Sequence, residues 1–150
     1  MKKTKSITYY EAVGRRREAV ARVRLYIVGR DKTATVGEQK IKEGEVFVNN
    51  KPADLYFPLA IHKARYLIPL ELTDSLKRFA VSVLVRSGGK NGQLDAMVHG
   101  LARALEKVDK ETYRPVLKKA SLLTRDPRAR ERRKVGTGGK ARRQKQSPKR

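Results

Sequence analysis

FAVSVLVRSGGKNGQLDAMVHGLARALEKV, residues 79–108, is the stretch from which the fold can be read. Phe79–Arg86 is β-branched and alternates strictly: Phe79, Val81, Val83 and Val85 line one face, Ala80, Ser82 and Leu84 the other. That is the pattern of a strand. The period changes after the turn Ser87-Gly88-Gly89-Lys90-Asn91-Gly92. From Gln93 to Val108 the apolar residues Leu94, Met97, Val98, Leu101, Ala102, Leu105 and Val108 recur at helical spacing, and Asp95, His99, Arg103 and Glu106 lie away from that stripe. The stretch predicts a strand, a glycine-rich loop and a long amphipathic helix.

Such a unit invites a nucleotide-binding reading, which the details exclude. Lys90 has no hydroxyl residue after it and the glycine spacing is wrong, so GxxxxGK[ST] is absent; the dinucleotide fingerprint fails as well. Physically, bare backbone N–H groups at Gly88, Gly89 and Gly92 and a helix N-terminus, flanked by Arg86 and Lys90, make an anion site. On a basic protein that anion is an RNA phosphate. A tight turn needing glycine for steric reasons holds alongside it.

Upstream, Ala19–Val28 alternates too, with Ala21, Val23, Leu25 and Ile27 on one face and Arg22, Arg24 and Tyr26 on the other. A half-buried strand with open arginines suits a sheet lying on a polyanion, and equally a solvated face. Tyr9–Arg17 places Gly14 and the consecutive Arg15, Arg16 and Arg17 just before that strand, and residues 1–8 read as a flexible basic lead. Gly29–Gly44 is polar, a hairpin or an extended loop. Glu45–Val48 predicts a second strand ended by the turn Asn49-Asn50-Lys51-Pro52. Ala53–Pro58 predicts a helical turn, and Ile61–Leu70 a short helix broken by Pro69. Thr73 or Asp74 is placed to cap a further turn. Downstream, a helix is expected around Thr112–Ser121 with Pro115 in its first turn.

The chain ends in a different kind of sequence. From Arg125 to Arg150 there are twelve Lys/Arg against Asp126 and Glu131, a net charge of +10, with Val135 the one sizeable aliphatic residue. Such a segment buries too little apolar surface to offset its ordering entropy. Alone it is expected to be disordered, and to order against a nucleic-acid backbone.

The 150 residues suit a body over 9–124 with this tail over 125–150. Of the formal +22, the body keeps +12, from 25 basic and 13 acidic residues. There is no Cys, hence no disulfide or thiolate metal site. No apolar run approaches the roughly 20 residues of a membrane span, and MKKTKSITYY lacks the apolar segment of a secretion signal. No membrane partner and a cytoplasmic location follow. His62 and His99 are the only histidines. No nucleophile–base pair or metal cluster can be picked out, so neither catalysis nor a cofactor is expected.

Several stretches together resemble one family. GRRREAVARVRLY (14–26), VNNKPADLYFP (48–58), VRSGGKNGQLDAMVHGLARAL (85–105), YRPVLKKASLLTRDPRARERRKVG (113–136) and KARRQKQSPKR (140–150) are similar, in order, to the bacterial form of the small-subunit ribosomal protein S9 family. The resemblance implies an α+β fold: a four-stranded sheet with helices on one face and a left-handed β-α-β crossover, like domain 2 of ribosomal protein S5, plus an extended basic C-terminal tail. It implies a structural, non-enzymatic role in the head of the small ribosomal subunit, beside neighbouring head proteins and bound to the 3′ domain of 16S rRNA. It further implies that the tail reaches the anticodon stem-loop of the P-site tRNA, a role that falls by position to Lys149 and Arg150. The expected rRNA-binding set is Arg15, Arg16, Arg17, Arg86, Gly88, Gly89, Lys90, Gly92, Arg125, Arg128, Arg132, Arg133, Lys134, Lys140, Arg142, Arg143 and Lys145.

Three features depart from the family pattern. Gln146-Ser147-Pro148 stands where the family carries an aromatic residue before Ser-Lys-Arg, Glu18 stands at a commonly small or hydroxyl position, and Asp31–Glu45 is longer than in compact members. From other classes, a free-standing nucleic-acid chaperone and a small phosphate-ester enzyme are the alternatives.

Overall fold

The computed structural model describes residues 9–28, 32–36, 39–133 and 135–136. Strands β1 (Tyr9–Arg16) and β2 (Ala19–Ile27) form an antiparallel hairpin whose turn carries Arg17 at φ 52°. Strand β2 pairs antiparallel with Phe79–Arg86, which pairs parallel with Val46–Val48. In chain order these latter two are β7 and β5, while β3 (Thr33–Val36) and β4 (Gln39–Lys42) pair with each other as a separate two-stranded sheet. The main sheet has five strands where four were expected. The extra one, β6, is only Lys51–Pro52, folded back onto β5 by Asn49 and Asn50 at φ 49° and 63°. Paired asparagines in the left-handed region make the tight hairpin turn, and an edge strand is where a sheet tolerates proline. The order β1-β2-β7-β5-β6, with helices α1 (Ala53–Tyr56) and α2 (Ala60–Leu72) joining the parallel pair, is a mixed sheet of an α+β fold.

Helix α3 (Lys90–Val108) lies across β1 and β2, and α4 (Lys110–Lys119) packs behind it. The alternation holds as the sequence requires. Val23, Leu25, Phe79, Val81, Val83 and Val85 meet Leu94, Met97, Leu101 and Leu105 in one core. Gly14 permits the approach, since a Cβ there would stand 1.9 Å from the Ala96 carbonyl oxygen and 2.3 Å from the Gly100 nitrogen. The sheet's opposite face is partly roofed by the β3–β4 hairpin, with Tyr26, Ala34, Ile41 and Ala80 forming a second small core. Within the long Asp31–Glu45 stretch, Ala34 and Ile41 thus have an apolar task. Ile27, expected on the buried face, is exposed where β2 ends.

Helix boundaries differ from expectation in three places. Pro69 does not break α2: it is buried in the last turn, and the bond its missing N–H denies the Arg65 carbonyl is offset by that packing. Thr73 closes that helix instead of starting another, its hydroxyl donating to the Pro69 carbonyl at 2.9 Å. Helix α4 starts at Lys110 because Asp109 Oδ1 accepts from the Thr112 N–H at 3.1 Å, so Pro115 falls in the second turn, not the first. Helix α3 begins three residues before Gln93, with Gly89 at its N-cap. At the other end of α4, Ser121 at φ 58° and the Leu122 N–H bonded to the Leu117 carbonyl (3.0 Å) reverse the chain and send it back along α3. Among the described residues no helix is long and apolar enough to cross a membrane.

Candidate nucleic-acid interface

Charge on this surface serves two purposes. Edge strand β1 turns alternate backbone groups away from β2, and the polar face of α3 satisfies them. Arg15 donates its N–H to His99 Nδ1 at 3.4 Å, Arg103 Nη1 donates to the Val13 carbonyl, and Lys107 Nζ donates to the Glu11 carbonyl at 2.7 Å. The periods match: four helical residues advance about 6 Å, two strand residues about 6.6 Å. These side chains, of which the sequence placed His99 and Arg103 off the apolar stripe, close a strand edge that would otherwise invite pairing with another chain. Burial is the chief cause that holds the His99 pKa below its ordinary value, followed by the Arg103 charge.

Arg16 is committed as well. Its guanidinium lies 3.5 Å from Asp95 and 3.2 Å from Asp126, and donates to the Arg128 carbonyl at 3.0 Å. Asp95 also pairs with Arg65 at 2.9 Å. Asp126 receives Arg128 through both backbone and guanidinium, which holds its carboxyl well below the usual range.

The glycine loop forms the other kind of site. A cleft of about 460 Å³ at the N-terminus of α3 is lined by Arg16, Arg17, Gly88, Gly89, Lys90, Gly92 and Arg130, with Glu18 as its one acid. Arg17 and Arg130 have no carboxylate partner among the described residues. Lys90 is held over the Tyr56 ring at 3.5 Å and donates to the Tyr56 carbonyl at 3.3 Å. The loop is pinned from behind. Gln93 accepts from the Tyr56 hydroxyl (2.8 Å) and donates to the Ser87 carbonyl (3.1 Å), while the Asn49 side chain exchanges two bonds with the Val85 backbone.

The two central glycines divide the work. Gly88 has φ 67°, and a Cβ there would stand 2.9 Å from the Ala19 Cβ, so the turn itself requires it. At Gly89 a Cβ would meet nothing within 4 Å and the backbone is extended. Nothing in the fold demands glycine at 89.

A second cationic surface lies on the open face of the sheet. Register places Arg15 and Arg86 on either side of Val20, with Arg22 two residues along β2. Arg24, next in the row, differs: it pairs with Glu11 at 2.6 Å and stacks 4.7 Å from the Tyr9 ring, and the Glu11 bond raises its pKa.

Apart from Arg16, which is held by Asp95 and Asp126, the described sequence-predicted residues fall into three groups. Arg17, Gly88, Gly89, Lys90 and Gly92 converge on the cleft, and Arg15 and Arg86 sit on the sheet face. Arg125, Arg128, Arg132 and Arg133 are exposed along a root without helix or strand. Lys134, Lys140, Arg142, Arg143, Lys145, Lys149 and Arg150 lie outside the described residues. Arg130, Gln93, Asn49 and the acids Asp95 and Asp126 were missed. An acid in so basic an arm was the available signal for Asp126. No group of three His, Cys, Asp or Glu side chains among the described residues is placed to hold a metal ion.

A basic α+β domain with cations left open at a helix N-terminus and on one sheet face is of the class that sits against a polyanion. The model of the family described as Ribosomal protein S9/S16 matches residues 14–150, and the chain belongs to that family. It is accordingly an RNA-binding, structural component of the ribosome, acting in translation.

Proposed function

We propose that this protein is a structural constituent of the head of the small ribosomal subunit in the cytoplasm, bound to the 3′ domain of 16S rRNA. Residues 9–124 form the rRNA-binding body and 125–150 the arm. The left-handed sense of the β5–α2–β7 crossover, and kinship with domain 2 of ribosomal protein S5, belong to the same reading. Arg17, Arg130, the backbone at Gly89 and, more weakly, Lys90 hold one phosphate stretch; Arg15, Arg22 and Arg86 meet another across the sheet face. Such contacts position the protein without reading sequence. Lys134, Lys140, Arg142, Arg143 and Lys145 continue the phosphate contacts along the arm, and Lys149 and Arg150 approach the anticodon stem-loop of the P-site tRNA.

One observation carries the rRNA part of this reading. Arg17 and Arg130, from opposite ends of the chain, meet at the N-terminus of α3 beside a glycine that the fold does not need. Gly89→Val in the free protein is expected to fold normally and to bind small-subunit rRNA about ten-fold more weakly or worse, as one or two charge-assisted bonds are blocked. Gly88→Val is expected to fail at folding. Wild-type affinity of a well-folded Gly89→Val protein would remove the cleft from the interface. For the arm, subunits lacking Ser147–Arg150 should assemble yet hold P-site tRNA less tightly in filter binding. Undiminished retention at several magnesium concentrations would refute the tRNA contact.

A further inference from the structure

The sequence led to the expectation that Arg15, Arg16 and Arg17 alike meet rRNA, but Arg16 is placed differently from its neighbours. Its side chain is largely covered, lies against Asp95 of α3 and Asp126 of the arm, and donates to the backbone of Arg128. Two carboxylates and a carbonyl engage all three nitrogens of the guanidinium and neutralise its charge. The same Asp126 accepts the N–H of Arg128 at 3.0 Å and its Nη2 at 2.7 Å, folding Asp126–Arg128 into a closed turn. Asp95 is held in turn by Arg65. Upstream, Leu122 and Leu123 pack on the main core. The arm is therefore fastened twice, first by apolar burial and then by this ionic knot. Only beyond the knot does Arg130 reach the rim of the cleft.

We infer that Arg16, Asp95 and Asp126 form a clasp that orders the root of the basic arm on the body before RNA is met, and that Arg16 is a positioning residue, not a phosphate contact. The inference rests on the rRNA reading for its consequence, though not for its existence. Asp126 fixes the direction in which Arg130 leaves the body. A root ordered in advance has less conformational freedom left to lose on binding. Because the charge of Arg16 is neutralised inside the protein, it releases no counterion when RNA binds.

The chain has no Cys, so a nitroxide on Ala129→Cys reports the root alone. In the free protein the label is expected to show a slow-motion spectrum that changes to fast motion in Arg16→Gln and in Asp126→Asn. Asp126→Glu should restore the slow spectrum. Asp126→Asn lies in the arm and leaves the body's core untouched, so its outcome stands even if Arg16→Gln proves unstable. With small-subunit rRNA as probe, Arg16→Gln should lose affinity about two- to ten-fold at an unchanged log–log salt slope. Arg17→Gln should flatten that slope by about 0.7–0.9. Unchanged label spectra in both variants would overturn the clasp. A slope flattened by Arg16→Gln as much as by Arg17→Gln would make Arg16 a phosphate contact and overturn the positioning role. If even the wild type failed to bind rRNA, the functional reading would fall, while the spectra would still decide the clasp.

Discussion

Helix α3 carries cations along its flank and gathers others at its N-terminus, and the two ends use them in opposite ways. Along the flank, Arg103 and Lys107 are bonded to carbonyls of β1, and His99 accepts an N–H from the same strand. At the N-terminus, Arg17 and Arg130 stand beside exposed loop backbone with no carboxylate partner among the described residues. The first group completes the fold; the second is the one proposed above to meet rRNA. Net charge announces a polyanion but does not say which cations meet it. That depends on where the backbone has unfilled acceptors.

The comparison can be broken most severely at the glycine that lets the flank lie down. Gly14→Val forces a side chain into the Ala96 carbonyl and the Gly100 backbone. A loss of about 3 kcal/mol or more is expected by urea unfolding, the upper range for overpacking. A loss below about 1 kcal/mol would show that α3 can ride away from β1 at little cost.

A milder cut removes the flank's bonds. Arg103→Ala with Lys107→Ala should lower stability by about 1–2 kcal/mol and promote association through the uncovered β1 edge. Binding to rRNA should keep its salt slope. Arg17→Ala with Arg130→Ala should do the reverse, leaving stability within about 0.5 kcal/mol. Equal stability losses in the two pairs would erase the distinction between flank and N-terminus.

The smallest effect expected is on pH dependence. His99 is neutral in the fold, accepting from Arg15 and bonded to the Leu123 backbone, with Arg103 and Arg125 nearby. Its folded pKa lies below the ordinary 6.5. The unfolded chain therefore takes up the proton first, and stability falls as pH drops below the ordinary value. Unfolding midpoints between pH 7.5 and 5.5 should show this slope, and His99→Gln should flatten it. An unaltered slope in the variant would assign the pH dependence elsewhere.

Much of this was legible in the chain. The alternation of Phe79–Arg86 and Ala19–Val28 located the two central strands and their buried faces, because a period of two is set by the pleat itself. The α3 stripe was equally plain. The glycine loop was legible as a turn leading into a helix, but not which glycine serves the turn, since φ and the distance to Ala19 are not written in the residue type. Pro69 and Pro115 misled because one missing N–H near a helix end is outweighed by tertiary packing. The commitment of Arg16 was hidden for another reason. Asp95 and Asp126 lie 79 and 110 positions away, and nothing local tells a guanidinium that has found carboxylates from one that has not.

The central claim is that cations at the α3 N-terminus meet rRNA phosphates while cations bonded inside the fold, such as Arg24 and Arg103, do not. Salt dependence of binding to small-subunit rRNA tests it most directly, comparing Arg17→Gln with Arg130→Gln in one protein against Arg24→Gln with Arg103→Gln in another. The account predicts a log–log slope flattened by about 1.4–1.8 in the first and unchanged in the second, at about 0.7–0.9 per phosphate contact. Equal flattening in both would contradict it, and would mean that the protein meets RNA through diffuse charge and not through this site.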